Sequence, residues 1–586
     1  MTPSFSLGKW FEQRGINGAK GIPSNQDPSV SFDLAGPANG KKGFYDWDKN
    51  NFAPRLSIAY SPRFSSSWLK RIFGDADRTA VRAGFGVVYD HIGSGLASTF
   101  DRGNAFGLSY FLTNPAGVQT VETAPRVVDL HTITPLGCVL HGGFPATPPA
   151  DLDCGFAIAW GLDDSIRTPY SYTLDFSIAR QLPHDFSLEV AYVGRLAHKL
   201  LAQEDVAMPL NLVDKASGID YFTAASRLSQ LGDAGYRTPG VTDSLVGPTA
   251  GYWANLFGPG PYPLADGTAT SSAAQAAYDL FADPINGFLH NETTALFVLD
   301  LFGYPVTPVG GLNSFYNAQY SSLYAWRSIA NSSYHAMQLS LRRRLSQGVG
   351  FDFNYTLSKS IDLSSDAERI VPWGGLGGQI INSWDHKQLR ALSDFDTTHQ
   401  VNSNWVVELP FGRGKPLGRD AQGAFDALIG GWQVGGLFRW TSGFPFSIAN
   451  GYTWATNWEL GGWAVPKGSA PVTKTTKGPE GPNAFPDAQA AFSAFRYARP
   501  GESGVRNNLR GDGFFNIDMG LSKRWKMPYA ENHSVQFRWE VFNITNSVRF
   551  DVQSHVSELD AVSQFGNYTG LLTNPRVMQF ALRYEF

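Results

Sequence analysis

Charged residues are scarce in this sequence of 586 residues, and several features common in soluble proteins are missing. Asp, Glu, Lys and Arg make up 17% of the chain, against roughly 25% in an ordinary soluble protein. The net charge of −4 offers no basic surface and argues against nucleic acid as a partner. No apolar run reaches the ~18 residues that a membrane-spanning helix needs. The N-terminus lacks a basic segment followed by an apolar stretch, so we predict no signal peptide.

Cysteine is also scarce, and its two copies, Cys138 and Cys154, lie in one Gly/Pro-rich stretch. They are either unrelated thiols or a disulfide that closes an exposed loop. We favour the disulfide, which implies an oxidising compartment. Closing a loop of ~15 residues would stabilise it by ~3 kcal/mol in the chain-entropy model. A zinc site is not predicted, because His141 alone does not complete a ligand set.

Enzyme motifs are missing as well. The glycines and lysine of Gly412–Lys415 lack the frame of a phosphate-binding loop, and no GxSxG or HExxH motif occurs. Four carboxylates bracket one loop without the spacing of a dedicated calcium loop: Asp362, Asp366, Asp394 and Asp396. We therefore predict no catalytic residue, no metal site and no cofactor.

Alternation with period two is the strongest pattern that is present. Aromatic residues reach 14% of the chain, yet the mean hydropathy is −0.19, so apolar residues are diluted by polar ones and glycine. In Thr168–Leu182 the apolar side chains share one face of a strand, because successive side chains point to opposite faces. These are Tyr170, Tyr172, Leu174, Phe176 and Ile178.

The same alternation recurs along most of the chain. It is found near residues 56–60, 81–89, 186–192, 337–341, 349–357, 401–409, 432–440, 515–521 and 535–541. Each segment has roughly ten residues, which at ~3.3 Å per residue and a ~40° tilt spans about 25 Å, the apolar height of an outer-membrane barrel. Charge on the polar faces does not by itself separate this fold from a β-sandwich.

Connection lengths do separate the two folds, because short turns alternate with long loops. A turn at Pro183–Asp185 precedes a loop at residues 201–332, which contains two helix-like pieces, Asp220–Leu231 and Ser272–Phe281. Short turns on one rim and long loops on the other are typical of outer-membrane barrels. We therefore predict an all-β, antiparallel transmembrane barrel of roughly 12–14 strands with long extracellular loops and short periplasmic turns. Strand parity asks for two strands between residues 100 and 168, around 105–112 and 118–130.

The C-terminus strengthens this prediction. The last strand places Phe580, Leu582, Tyr584 and the final residue, Phe586, on one face. This ending is similar to the signal by which the barrel-assembly machinery recognises outer-membrane proteins. The alternative is an edge strand of a soluble protein that ends in Phe by chance.

Several segments resemble the barrel of Oar-like TonB-dependent transporters. The matching stretches include NNFAPRLSIAYSP, TPYSYTLDFSIARQLP, SDFDTTHQVNSNWVVELPFGRGK and RNNLRGDGFFNIDMGLSKRW. The resemblance runs from about Asn50 to Phe586, and the order of the segments together with the terminal Phe makes it specific. It implies a barrel for residues 51–586 and a remnant of an extracellular loop for residues 1–50.

The resemblance also implies a location and a set of partners. Relatives have around 22 strands, a signal peptide, a regulatory-like domain and a plug that contacts TonB. None of these N-terminal parts is recognisable here, so we expect a fragment that reaches TonB only through the absent plug. The expected location is the outer membrane, and the expected partners are its lipid, the barrel-assembly machinery and an unidentified extracellular ligand.

Aromatic residues in the predicted loops are the candidate ligand contacts. They either meet a ligand or pack the loops, and a membrane-interface girdle is a further explanation for some of them. The candidates are Trp253, Phe257, Trp373, Trp384 and Trp458.

Three functions are compatible with the sequence. The first is uptake of a ligand by a TonB-dependent transporter, and the second is a passive or structural barrel whose loops contact partners. The third, a secreted all-β carbohydrate-binding or hydrolytic protein, predicts a pair of carboxylates in a cleft. No candidate pair is evident, and we expect no enzyme.

Overall fold

Long antiparallel strands dominate the computed structural model, which describes residues 2–3, 6–74, 78–90, 96, 106, 108, 143–150, 156–365, 379–527, 529 and 532–586. Within these residues one sheet of 14 strands contains eleven that pair in chain order. They are β1 (Arg55–Tyr60), β2 (Thr79–Tyr89), β3 (Tyr170–Leu182), β4 (Phe186–Asp205), β5 (Tyr320–Ser346), β6 (Val349–Asp362), β7 (His399–Glu408), β8 (Trp432–Thr441), β9 (Phe515–Lys526), β10 (Ser534–Phe542) and β11 (Val577–Glu585).

Three short strands complete the sheet. Ala157–Leu162 runs parallel to β5, Gln379–Ile380 runs parallel to β4, and Ala391–Leu392 is antiparallel to β6. β1 and β11 are the two ends of the chain-order path, and no pairing joins them in the described part of the chain. The prediction of an antiparallel all-β fold is confirmed. Within the described residues the sheet is open, because its two end strands do not pair.

Cross-strand register brings the predicted apolar positions together. One row of directly opposed residues crosses six strands: Ile58, Ala83, Phe176, Tyr192, Met337 and Leu357. A second row crosses the other half of the sheet: Val434, Leu521, Trp539 and Phe580. Because side chains alternate between faces, these rows form one continuous apolar face. The aromatic rings need room, and Gly436 provides it, since a Cβ there would lie 2.2 Å from the Trp405 indole directly opposite.

Two tight turns fix the register of the hairpins. His184 and Asp185, between β3 and β4, have φ of 63° and 64°. Gln347 and Gly348, between β5 and β6, have φ of 52° and 80°. Positive φ at both central residues is the type I′ geometry, whose twist matches that of the strands. The residues that flank each turn are directly opposed, Leu182 to Phe186 and Ser346 to Val349. In the second hairpin an irregularity between Arg343 and Ser346 then shifts the register by one residue.

Connection lengths alternate along the sheet as the sequence predicts. At one end lie the connections 61–78, 183–185, 347–348, 409–431 and 527–533. At the other end lie the connections 90–169, 206–319, 363–398, 442–514 and 543–576. The longer group leaves the end that we predict to be extracellular.

One detail of the sequence prediction lies outside the described residues and another is wrong. β2 and β3 are direct antiparallel neighbours in the sheet. Nearly all residues of the two strands expected between them, around 105–112 and 118–130, lie outside the described part of the chain. The loop predicted at 201–332 is shorter, because β4 continues to Asp205 and β5 begins at Tyr320. The C-terminal part of β4 and the N-terminal part of β5 pair with each other beyond the apolar rows, at the end of the sheet where the long connections leave.

Helices are confined to the connections. They are α1 (Leu7–Ala19), α2 (Ser67–Phe73), α3 (Tyr221–Asp233), α4 (Asp243–Val246), α5 (Ala250–Phe257), α6 (Ala273–Phe281), α7 (Glu292–Phe302), α8 (Gly423–Ile429) and α9 (Ala488–Ser493). α3 and α6 confirm the two helix-like pieces. Each starts at a capping side chain, because Asp220 accepts a hydrogen bond from the Thr223 amide and Ser272 accepts one from the Gln275 amide. No helix among the described residues is long and apolar enough to cross a bilayer.

A folded cap covers the end of the sheet where the long loops leave. We use the name cap for residues 6–50, 143–150, 156–165, 206–319, 379–398, 442–514 and 543–576. Its largest apolar core is formed by the connection 206–319 and includes Tyr221, Trp253, Tyr278 and Phe281, all nearly inaccessible to solvent. α1 joins a second core with the upper part of β5, through Leu7, Trp10 and Trp326. Residues 1–50, expected to be a loop remnant, thus contribute a buried helix to the cap.

Candidate functional site

The face of the sheet opposite the apolar rows is polar and bounds a hollow. The hollow has a volume of about 720 Å³ and lies along β5 to β10. It is lined by both charged or amide side chains and apolar ones. The first group is Arg342, Arg343, Arg344, Asp352, Asn404, Asp518 and Glu540, and the second includes Leu345, Val406, Leu437 and Phe542. A transmembrane barrel has such a polar interior because its lumen holds water, a plug or a ligand instead of lipid.

Pairs of polar side chains bridge neighbouring strands on this inner face. Arg342 of β5 forms an ion pair with Asp352 of β6, and the arginine side chain is 68% exposed. Arg82 and Glu189 approach to 3.9 Å across the inner face of β3. Exposed pairs contribute little stability, because water screens them. Arg342 and Asp352 line the hollow and present both signs of charge to it.

Arg327 of β5 fastens the sheet to the cap. Its guanidinium donates from Nε to Asp163 Oδ2 at 2.8 Å and from Nη1 to Glu204 Oε2. Both carboxylates are 1% exposed, and the ring of Phe11 from α1 lies 5.3 Å from the guanidinium carbon. Removing one partner from a buried ion pair costs about 3–5 kcal/mol. This contact therefore holds α1 and residues 156–165 rigidly over the end of β4 and β5.

Three of the four carboxylates considered for calcium in the sequence bind arginines, and the fourth, Asp366, lies outside the described residues. Arg506 donates to Asp362 Oδ1 at 2.8 Å and to Asp394 Oδ1 at 2.9 Å, and its side chain is 5% exposed. Arg510 donates to Asp396 Oδ2 at 2.6 Å. The arginines come from the connection 442–514, so they attach it to the connection 363–398. Among the described residues, no group of three or more His, Cys, Asp or Glu could hold a metal ion.

A further joint links two long loops at the surface of the cap. Asp233, at the end of α3, lies 2.8 Å from His290 Nε2 and accepts two hydrogen bonds from Arg499, at 3.0 and 2.6 Å. Burial raises the pKa of Asp233, but the hydrogen bonds from His290 and Arg499 outweigh it, and the net shift is downward. The imidazole also stacks on Tyr497 at 4.0 Å. The connections 206–319 and 442–514 are thus held together by charge.

Buried carboxylates inside the cap have raised pKa values. Burial raises the pKa of Glu292 to about 8, although Ser229 donates a hydrogen bond to its Oε1 at 2.6 Å. Burial likewise raises the pKa of Asp300 to about 7, despite three hydrogen bonds from the backbone amides of residues 314–316. Burial raises the pKa of Glu459 to about 7. The interior of the cap therefore binds protons near neutral pH.

Two of the aromatic ligand candidates lie inside the apolar core of the cap. Trp253 is 0% exposed and Phe257 is 4% exposed, and their rings are 5.9 Å apart. Trp253 also packs on Phe281 at 5.1 Å. Since neither ring has appreciable free surface, both support the cap in this conformation. The sequence could not separate this packing role from a binding role, because both require aromatic residues in a loop.

Trp384 and Trp458 are partly exposed and join separate parts of the cap. Trp384 stacks on Phe11 at 4.6 Å and donates its indole N–H to the Pro209 carbonyl at 2.8 Å. Trp458 stacks on Phe297 at 5.0 Å. They remain candidates for contact with a ligand that reaches the cap. Trp373 and the cysteines Cys138 and Cys154 lie outside the described residues.

The C-terminal strand presents its aromatic face to the surroundings. Phe580 is 69% exposed, Leu582 74%, Tyr584 48% and Phe586 86%. Exposed apolar patches of this kind mark contact with a membrane or a partner.

Tyr584 also continues a belt of aromatic rings at the short-turn end, which includes Trp432, Trp525 and Phe537. A second belt at the long-loop end includes Tyr89, Tyr170, Tyr172, Tyr355 and Trp440. Two aromatic belts that flank an apolar band are typical of outer-membrane barrels.

Comparison with known proteins adds a family and several solved structures. The family model for an outer membrane beta barrel domain matches residues 11–579. No curated protein matches the chain. The outer membrane transporter YddB from Escherichia coli is 9% identical with a TM-score of 0.33, over 86% of this chain and 38% of that one.

Two receptors show a similar degree of likeness. The ferric enterobactin receptor PfeA from Pseudomonas aeruginosa is 9% identical with a TM-score of 0.33, over 91% of this chain and 40% of that one. The siderophore receptor PirA from Acinetobacter baumannii is 9% identical with a TM-score of 0.31, over 92% and 41%. The chain thus spans about two fifths of the length of these structures.

Proposed function

This chain belongs to the outer membrane beta barrel domain family, and from that premise we propose that it is barrel sequence of a TonB-dependent transporter. Its location is the outer membrane. The transporter would take up a ligand that reaches the cap from outside the cell. The proposal rests on the series of segments that resemble Oar-like transporters, and on one observation in the structure. The apolar outer face, the polar inner face and the capped end all belong to the same sheet.

The charged side chains of the inner face suit uptake, because a transporter needs a wall that a polar plug or ligand can contact. A structural barrel also has a polar inner face, so the resemblance of the segments carries the choice of uptake. The paired charges of Arg342 with Asp352 and of Arg82 with Glu189 supply both signs without burying either. Energy coupling would pass through a plug domain of the whole protein. We assign no catalytic role to any residue, and no cofactor.

The cap would make the first contact with the ligand. Trp384 and Trp458 are partly exposed where separate loops of the cap meet. The ion pairs of Asp233 and Arg506 between these loops would decide how far the loops can move apart. Moving two loops apart breaks a small number of charged hydrogen bonds, each worth roughly 1.5–3 kcal/mol. Such energies are of the size that ligand binding can supply.

Uptake in the native organism tests the proposal. Cells with the intact gene, cells without it and cells with inactivated TonB would be grown in one medium, and the loss of each medium component would be followed by mass spectrometry. We expect at least one component that only the intact cells accumulate. Re-introducing the gene restores its accumulation.

Two results would contradict the proposal and favour another function. Equal accumulation of every component in all three strains would indicate a structural barrel with partner-binding loops. Accumulation that needs the gene but not TonB would indicate a passive pore. A secreted carbohydrate-binding protein is no longer a candidate, since the family resides in the outer membrane.

A further inference from the structure

A pocket opens on the outer face of the sheet, at the end where the long loops leave. Its volume is about 350 Å³, and it lies where β2 ends and β3 begins, beside Lys199 of β4 and beneath the segment that precedes β1. The residues that line it are Asp48, Asn50, Asn51, Phe52, Pro54, Val87, Tyr89, Thr168, Tyr170, Tyr172 and Lys199. It shares no lining residue with the hollow on the inner face.

Three tyrosines form the wall of the pocket. Tyr89 and Tyr170 are directly opposed on β2 and β3, with their rings 5.9 Å apart. Tyr172 follows two residues later on the same face and meets Tyr170 edge-on at 5.5 Å. All three belong to the face that carries the apolar rows, so they face the membrane and not the lumen. Tyrosine is favoured at this depth because its ring is apolar and its hydroxyl is wet.

A distortion of β4 turns a lysine into the same pocket. His198 faces outward opposite Tyr170, so Lys199 would face inward in a regular strand. Lys199 instead has φ of 53°, and β4 gains one residue on β5 here, since Ala197 pairs with Ser332 and Leu200 with Ala330. Such a bulge re-aims side chains. The ammonium therefore lies 5.7 Å from the centre of the Tyr170 ring, on the outer face.

The lysine has no carboxylate partner among the described residues. Asp48, the acid that lines the pocket, accepts a hydrogen bond from the Thr168 amide at 3.1 Å. Asn51 donates to the Thr168 hydroxyl at 3.0 Å, which fixes the segment 48–54 over the strand ends. A left-handed lysine costs conformational energy, and here it places an exposed cation beside aromatic rings and amides at the membrane boundary.

We propose that this pocket binds the phosphorylated sugar headgroup of a glycolipid in the outer leaflet. Aromatic faces and amides suit a sugar ring, and an ammonium suits its phosphate. Directly below the pocket on the same face lie Leu174 and Phe176, with Leu56 and Ile58 of β1 beside them, 68% and 67% exposed. A lipid therefore fits with its head in the pocket and its acyl chains on this apolar surface. A free water-soluble ligand would leave that surface unused.

The test measures lipid binding to the full chain in detergent by native mass spectrometry. The probes are lipid A with both phosphates and lipid A after phosphate removal. We expect the unmodified protein to bind the phosphorylated form about tenfold more tightly. Lys199→Gln weakens binding of the phosphorylated form about tenfold and leaves binding of the dephosphorylated form unchanged, because only the phosphate contact is lost. Tyr170→Leu weakens both forms, since it removes the aromatic wall.

Lys359→Gln is the matched control. Lys359 lies on the outer face of β6, opposite His335, and is also exposed, but it does not line the pocket. Heat-modifiable gel mobility confirms that each variant keeps its fold. Equal weakening by Lys199→Gln and Lys359→Gln would overturn the site in favour of general attraction to anionic lipid. Displacement of lipid A by millimolar glucosamine phosphate or inorganic phosphate would overturn it in favour of a free anion.

Discussion

Glu292 makes the stability of the cap depend on pH in a defined direction. Burial raises its pKa from 4.5 to about 8 in the folded protein, whereas the unfolded chain keeps the ordinary value. Between these two values the folded cap holds a proton that the unfolded chain has released. The free energy of unfolding of the cap therefore falls as the pH rises through this window, and it levels off above pH 8.

The size of the effect follows from the shift. Each pKa unit corresponds to about 1.4 kcal/mol, so the whole window is worth roughly 4–5 kcal/mol for Glu292. Asp300 and Glu459 contribute with the same sign, because burial raises the pKa of each to about 7. The isosteric change Glu292→Gln keeps an oxygen that accepts a hydrogen bond from the Ser229 hydroxyl, but the side chain no longer binds or releases a proton. We expect the variant to lose a large part of the pH dependence and to keep the rest.

Urea titration of the cap measures this effect. Unfolding would be followed by the fluorescence of the buried tryptophans at pH 4.5 and at pH 8, with the protein in detergent. We expect the urea midpoint of the unmodified cap to fall between the two values, and that of Glu292→Gln to fall much less. Glu480→Gln, a change at an exposed residue of another loop, is the control. A midpoint that rises with pH, or equal slopes for all three proteins, would refute the reasoning.

Three further changes probe the cap and the assembly of the sheet. Arg506→Met leaves the buried Asp362 carboxylate unpaired, so the urea midpoint of the cap falls by the equivalent of about 3–5 kcal/mol, while the exposed Arg342→Met costs under about 1 kcal/mol. Trp253→Ala opens the core of the cap at a cost of about 3–5 kcal/mol, which limited proteolysis detects as faster cleavage within residues 206–319. Deleting Phe586 removes the end of the exposed aromatic face, and fractionation should show several-fold less protein in the outer membrane.

Each of these expectations has an outcome that contradicts it. Similar losses for Arg506→Met and Arg342→Met would mean that burial does not distinguish the two pairs. Loss of heat-modifiable mobility in Trp253→Ala would mean that the cap and the sheet unfold together and not separately. An unchanged amount of membrane protein after deletion of Phe586 would remove the terminal ring from the assembly signal.

The strands could be predicted from the sequence because their physics is local. A period of two assigns each side chain to a face, and the short turn at residues 183–185 places Leu182 opposite Phe186. Alternation alone assigns both Phe176 and Tyr192 to apolar faces, and the two residues are direct partners in the sheet.

The cap could not be predicted because its contacts are distant and not periodic. Arg14 donates to the carbonyl of Val206, and Arg506 binds Asp362, across 192 and 144 residues of sequence. No local pattern shows that such residues meet. The pocket on the outer face was missed for a related reason. The pair Tyr170 and Tyr172 is visible in the sequence, but alternation assigns Lys199 to the inner face, and only the bulge corrects it.

The orientation of the two faces of the sheet is the central claim, and spin labels on one strand test it most directly. Single cysteines at residues 173–178 of β3 would be introduced after replacing Cys138 and Cys154, and the protein would be placed in lipid bilayers. Labels at Leu174, Phe176 and Ile178 should collide mainly with oxygen dissolved in lipid. Those at Thr173, Asp175 and Ser177 should collide mainly with a water-soluble nickel complex. The opposite alternation, or equal access of the nickel complex to all six sites, would contradict the account.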